Sequence, residues 1–181
     1  MANLLKRLFK GKKKRYTTIE EAINDLLEGE HKETALKFVA YLNENQLTPK
    51  MPDRNHGFHY GKIPYNGYYI GWIVVEPNKW MFQIFNFSHL GEFCDDDEEF
   101  TAAVFEHIHP CSASCGCCPS GEPCQLSKET AIFGKKFYNV CFQHTRDFVN
   151  PDEKTLDYIK KLIEYGKKAV PHKEIYHCNH L

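Results

Sequence analysis

The residues best equipped for chemistry lie in one stretch, His107-Ile-His109-Pro-Cys111-Ser-Ala-Ser-Cys115-Gly-Cys117-Cys118-Pro-Ser-Gly-Glu-Pro-Cys124. It holds five of the chain's eight cysteines. Thiolates at this density hold a soft metal, close into disulfides or perform thiol redox chemistry. A tetrahedral zinc needs four ligands, and Cys111, Cys115, Cys118 and Cys124 supply them, with Cys141 on the following hairpin as the substitute. Cys115 and Cys118 have the C-x2-C spacing of a zinc knuckle, but no second C-x2-C pair follows, so no named zinc finger is matched. Cys117 and Cys118 are adjacent, and their side chains diverge. The expectation is therefore a structural zinc.

Alternative chemistries fit less well. Cys111-x3-Cys115-x2-Cys118 resembles the iron–sulfur loop of radical S-adenosylmethionine enzymes. Those enzymes carry it on a large α/β barrel, which 181 residues without strand–helix alternation do not make. No C-x2-C opens a helix after a strand, as a thioredoxin-like dithiol does. Neither a nucleophile elbow nor a phosphate-binding glycine loop occurs. The reading from a different class is a redox sensor or enzyme whose thiolates are themselves the working part.

The elements that must position this stretch follow from periodicity. Thr17-Thr-Ile-Glu20 reads as a capping box, followed by Ile19, Ala22, Ile23, Leu26 and Leu27 at helical spacing and a stop at Gly29. A second helix is predicted over 31–45, with Ala35, Phe38, Val39 and Leu42 inward, completing an N-terminal helical hairpin. Three strands follow, over 57–60, 68–75 and 79–87, as an antiparallel aromatic-rich meander with turns at 64–67 and 76–79. Trp72 and Trp80 flank the second turn and are expected to pack across it. Tyr60, Tyr69, Trp72, Trp80 and Phe82 form the candidate ligand groove, weighed against the commoner fate of strand aromatics as core.

Asp95-Asp-Asp-Glu-Glu99 opens a helix to about Ile108, its acids placed where the helix dipole favours them. Beyond the cysteines, 130–142 reads as a β-hairpin turning at Gly134-Lys135, and Asn150-Pro-Asp-Glu153 as the cap of a C-terminal helix ending before Gly166. The fold class is α+β. The domain plan is a basic amphipathic tail over 1–15, one domain over 16–167 containing the cysteine loop 109–127, and a tail over 168–181 in which His172, His177, Cys178 and His180 are either a second set of soft metal ligands or part of an exposed, incidental tail.

Charge is distributed unevenly. Residues 1–15 carry seven basic side chains and no acid, which leaves 16 basic against 24 acidic groups in the rest. So acidic a body argues against specific nucleic-acid binding. The tail places Leu4, Leu5, Leu8 and Phe9 on one helical face, suited to an anionic membrane surface or an acidic partner, or else it is a solvated tail. With no secretory signal and no apolar run of membrane-spanning length, the expected compartment is the cytoplasm.

Three segments carry a resemblance: Pro119-Ser-Gly-Glu, Phe133-Gly-Lys-Lys-Phe-Tyr-Asn-Val-Cys141 and Asn150-Pro-Asp-Glu-Lys-Thr-Leu-Asp-Tyr-Ile-Lys-Lys-Leu-Ile163. Over about 30–167 the chain resembles a group of small uncharacterised bacterial proteins that share a cysteine-bearing loop, an F-G-K-x-F-x-N-V-C segment and an N-P-D helix. The resemblance implies a bacterial cytosolic α+β domain and transfers no catalytic residue. The basic N-terminus, the additional loop cysteines and the His-rich tail depart from the group's pattern.

Overall fold

The computed structural model describes residues 15–52, 59–84, 97–108, 128–140 and 147–169. Within them the chain is α+β: helices α1 (Ile19–Leu26), α2 (Gly29–Glu44), α3 (Glu98–Glu106) and α4 (Glu153–Ala169), and strands β1 (His59–Tyr65), β2 (Tyr68–Glu76), β3 (Lys79–Ile84), β4 (Lys128–Ile132), β5 (Lys135–Val140) and β6 (Asp147–Val149). One antiparallel sheet has the order β1-β2-β3-β6, and β4-β5 form a separate hairpin. No helix among the described residues is long and apolar enough to cross a membrane.

Local chemistry explains the boundaries, several of which differ from the periodicity reading. The α1 cap is Thr18, whose hydroxyl accepts from the Glu21 amide at 3.2 Å, while the Glu21 carboxylate accepts from the Thr17 amide at 2.7 Å. The capping box thus sits one residue later than expected, so that Ile19 enters the core as the first helical residue. The Tyr16 phenol donates to the Asp25 carboxylate, and its ring meets His59 edge-on at 4.5 Å. Burial, and then the Asp25 carboxylate, push that phenol up to about 12. The start of the domain is thereby fastened to β1.

The acids that open α3 behave as their position requires. Asp97 caps the helix by accepting from the Phe100 amide at 3.0 Å and pairs with Lys161 of α4 at 2.8 Å. Those two contacts hold the Asp97 carboxyl below its usual range. Glu99 is lowered likewise by Lys154 and Tyr158.

In the N-P-D segment the expected cap moves. Asp152, not Asn150, caps α4, accepting from the Thr155 amide at 2.8 Å. Asn150, in the left-handed region at φ 43°, instead exchanges two bonds with the Trp80 backbone: its amide donates to the Trp80 carbonyl and its side-chain oxygen accepts from the Trp80 amide, both at 2.9 Å. Pro151 between them is buried. Asn150 extends the β3–β6 ladder by one pairing before the chain turns into the helix. Gly166 does not end α4, because the helix there lies against Ile84 and Ile70 of the sheet and tertiary packing outweighs its propensity cost of about 1 kcal/mol.

Three helices cover one face of the sheet: α1 against β1 and β2, α2 against β3, and α4 against β2 and β3. Phe38 of α2 is the centre of that contact, with ring centroids 5.8 Å from Trp80 and 5.3 Å from Phe82. Helix α3 packs on α4 and along the hairpin, with Phe100 5.7 Å from Phe133 and Phe105 5.1 Å from Phe137. The hairpin turns at Phe133-Gly134, one residue earlier than expected, both at positive φ (47° and 75°) as a two-residue primed turn demands. Phe133 tolerates that backbone because its ring is held between Phe100 and Phe105.

Candidate functional site

Strand pleating decides what the five candidate groove aromatics can do. Val75 faces Trp80 and Ile73 faces Phe82 across β2–β3, and all four lie on the helix-covered side. Trp80 and Phe82 are 0% exposed, packed under Phe38, so the five residues do not make one groove. The Trp80 indole N–H has no acceptor among the described residues, a cost its packing outweighs. Trp72 pairs with Gln83 rather than with Trp80, and the two tryptophans lie on opposite faces. The two-residue Pro77-Asn78 turn fixes that register, so this separation was readable from the turn.

Tyr60, Tyr69 and Trp72 remain on the outer face, the one turned away from α1, α2 and α4. The structure assembles there a row that runs across the whole sheet. Directly opposed residues are Lys50 and Lys62, Lys62 and Trp72, Trp72 and Gln83, and Gln83 and Asp147. The Trp72 indole N–H donates to the Gln83 side-chain oxygen, and the Gln83 amide donates to the Asp147 carboxylate. Gln83 is 6% exposed, so its amide must be satisfied on both sides, and it is. This chain of bonds fixes the orientation of the Trp72 ring. Tyr60 meets that ring edge-on at 5.5 Å and is 6% exposed, and burial raises its phenol pKa.

The row is accessible at its β1 end and, beyond the buried Gln83, at the half-buried Asp147. Trp72 and Lys62 are half-buried, Lys50 is exposed and Tyr69 is 44% exposed. The Lys62 ammonium sits 5.3 Å from the centre of the Tyr69 ring. Sequence reasoning passed over Lys50, Lys62, Gln83 and Asp147, because single polar residues on or beside strands carry no motif. A second concavity, a shallow hollow of about 550 Å³, lies between α3 and the hairpin turn and is lined by Asp97, Glu98, Thr101, Ala102, Phe105 and Phe133.

Cys111, Cys115, Cys118, Cys124 and Cys141 fall outside the described residues, as do the other three cysteines, the basic segment 2–14 and the His-rich tail. Among the described residues no group of three or more His, Cys, Asp or Glu side chains could hold a metal. What is described is the frame around the cysteines. Phe100 meets the hairpin at its turn and Phe105 meets it further along, so α3 runs from the turn toward the open end, where Lys128 pairs with Val140. The two chain exits before Lys128 and after Val140 therefore lie side by side at the open end of the hairpin. No protein-family model, curated protein or solved structure matches this chain.

Proposed function

We propose that this chain is a small binding domain, stapled by a thiolate-held zinc, that takes its ligand on the outer sheet face at Trp72. The observation that carries the recognition site is the bonded row Trp72–Gln83–Asp147. A half-buried indole whose only donor is already held inside the sheet presents a fixed apolar ring to a ligand, and such fixed aromatics contribute contact area at low entropic cost. Lys62 and Tyr69 beside it add a cation and a second ring. The kinship with the small bacterial proteins and a cytoplasmic setting belong to the same reading, since a reducing compartment keeps closely spaced cysteines available to metal.

For the zinc, support comes from the position of the chain exits. Cys141 directly follows Val140, and Cys124 is four residues before its partner Lys128, so connectivity limits their Cα atoms to about 15 Å from the same end of the hairpin. A zinc there would tie α3 to the hairpin. Metal analysis of untagged protein is expected to return stoichiometric zinc and a melting temperature that falls on chelation. Metal-free protein with reactive thiols would replace the staple with a redox role, and a brown, iron-containing protein would do so with a cluster.

The recognition site is tested with a panel of small neutral and charged ring compounds, followed at the two indole N–H resonances. The chain has two tryptophans, so Trp80 in the core serves as an internal reference. Saturable shifts at Trp72 without shifts at Trp80 are expected. A panel that moves neither resonance, or both together, would overturn the assignment.

A further inference from the structure

The β1 end of the outer face narrows the ligand's chemistry. Lys50 and Lys62 exchange both backbone bonds, at 2.8 and 2.9 Å, which makes them a directly opposed pair with side chains on one side. Like charges in that arrangement repel. Elsewhere lysines find carboxylates: Lys154 reaches Glu99 at 2.7 Å, Lys161 reaches Asp97 at 2.8 Å and Lys167 reaches Glu164 at 2.6 Å. The body outside residues 1–15 holds 24 acidic groups against 16 basic ones, so carboxylates are plentiful. Yet among the described residues none pairs with Lys50 or Lys62. The corner thus sets two lysines side by side with no carboxylate partner among the described residues, and the Lys62 ammonium lies over Tyr69, beside the oriented Trp72 ring.

We propose that this corner binds a small aromatic anion, its ring against Trp72 and Tyr69 and its carboxylate or phosphate shared by the Lys50 and Lys62 ammonium groups. The proposal rests on the binding-domain reading and specifies its ligand. Size follows from burial: Tyr60, Val74 and Gln83 in the middle of the face are buried and separate the corner from the exposed Val149 at the β6 edge, so the corner is a small open area. A compact ligand suits that area better than an extended chain laid across the sheet. Two cations and a fixed ring favour an anion on an aromatic scaffold over either a neutral ring or a bare anion.

The full chain is titrated with phenylacetate, phenyl phosphate and the neutral phenylacetamide, following the Trp72 indole resonance. Saturable binding of at least one anion is expected, with phenylacetamide weaker by about tenfold or more, the worth of one charge-assisted hydrogen bond. Whichever anion binds more tightly identifies carboxylate or phosphate as the preferred group. Lys62→Met and Lys50→Met each remove the preference for the anion. Lys50→Glu gives a readout that a purely structural lysine would not: it pairs with Lys62, raises the melting temperature and abolishes anion binding. Equal affinity for phenylacetamide, or anion binding unchanged in Lys62→Met, would overturn the proposal. If neutral rings shift Trp72 and anions do no better, the anion assignment fails while the binding domain stands; if no compound shifts it, both fall.

Discussion

Gly71→Ala is expected to destabilise the protein by about 3 kcal/mol or more, the upper end of overpacking costs, and to abolish ligand shifts at Trp72. A Cβ at position 71 would stand 2.4 Å from the Gln83 carbonyl oxygen and 3.0 Å from the Phe82 ring. The carbonyl is backbone inside the β2–β3 ladder, so it cannot swing aside as a side chain would. Relief requires the two central strands to part, and Gln83 moves with its own backbone. Because the Gln83 amide links Trp72 to Asp147, a clash on the covered face is transmitted to the outer one. Thermal unfolding and the indole spectrum test both halves of this expectation. A variant with wild-type melting temperature would show that the strands separate at little cost, and would remove the argument that glycine is required there.

Phe38→Ala is expected to cost about 4 kcal/mol, within the range for buried Phe truncation, and to lower the melting temperature by roughly 10 °C. Phe38 is fully buried and meets Trp80 and Phe82 across the helix–sheet interface. Both partners sit on β3, whose hydrogen bonds on either side hold β2 and β6 in place, so the cavity cannot close by moving one side chain. The outer face is separate from this contact. Binding at Trp72 should therefore survive in the folded fraction of Phe38→Ala, whereas Gly71→Ala loses it. Equal losses of binding in the two variants would mean that the row depends on global stability rather than on the position of Gln83.

Much of the frame was legible because it is local. Helix α3 is marked by acids in its first turn and by Phe100, Val104 and Ile108 at helical spacing, and all three are buried. The β1–β2 hairpin is marked by Asn66-Gly67, both at positive φ. Strand β6, only three residues long, was not legible: Asp147-Phe-Val149 has no pattern of its own and becomes a strand by pairing with β3. Residues 150–152 combine both cases. A helix start there was evident, but giving the cap to Asp152 and a sheet contact to Asn150 required Trp80 to lie alongside.

The aromatic groove divides in the same way. From the sequence, the Pro77-Asn78 turn sets Trp72 opposite Gln83 and Trp80 opposite Val75, and so puts the tryptophans on different faces. Which face the helices cover was decided by tertiary packing, with Phe38 over Trp80 and Phe82. The position of Lys62 was decided by a bulge. Counting back evenly from Tyr65 and Tyr68 sets Lys62 opposite Gly71, on the helix-covered face; the register shift between Ile63 and Pro64 moves it opposite Trp72. Pro64 has no amide to donate, and the ladder slips by one residue beside it. The soft-ligand chemistry we propose for the cysteine stretch rests on residue type and spacing alone, whereas the Lys50–Lys62–Trp72 corner exists only because that slip turns one lysine outward.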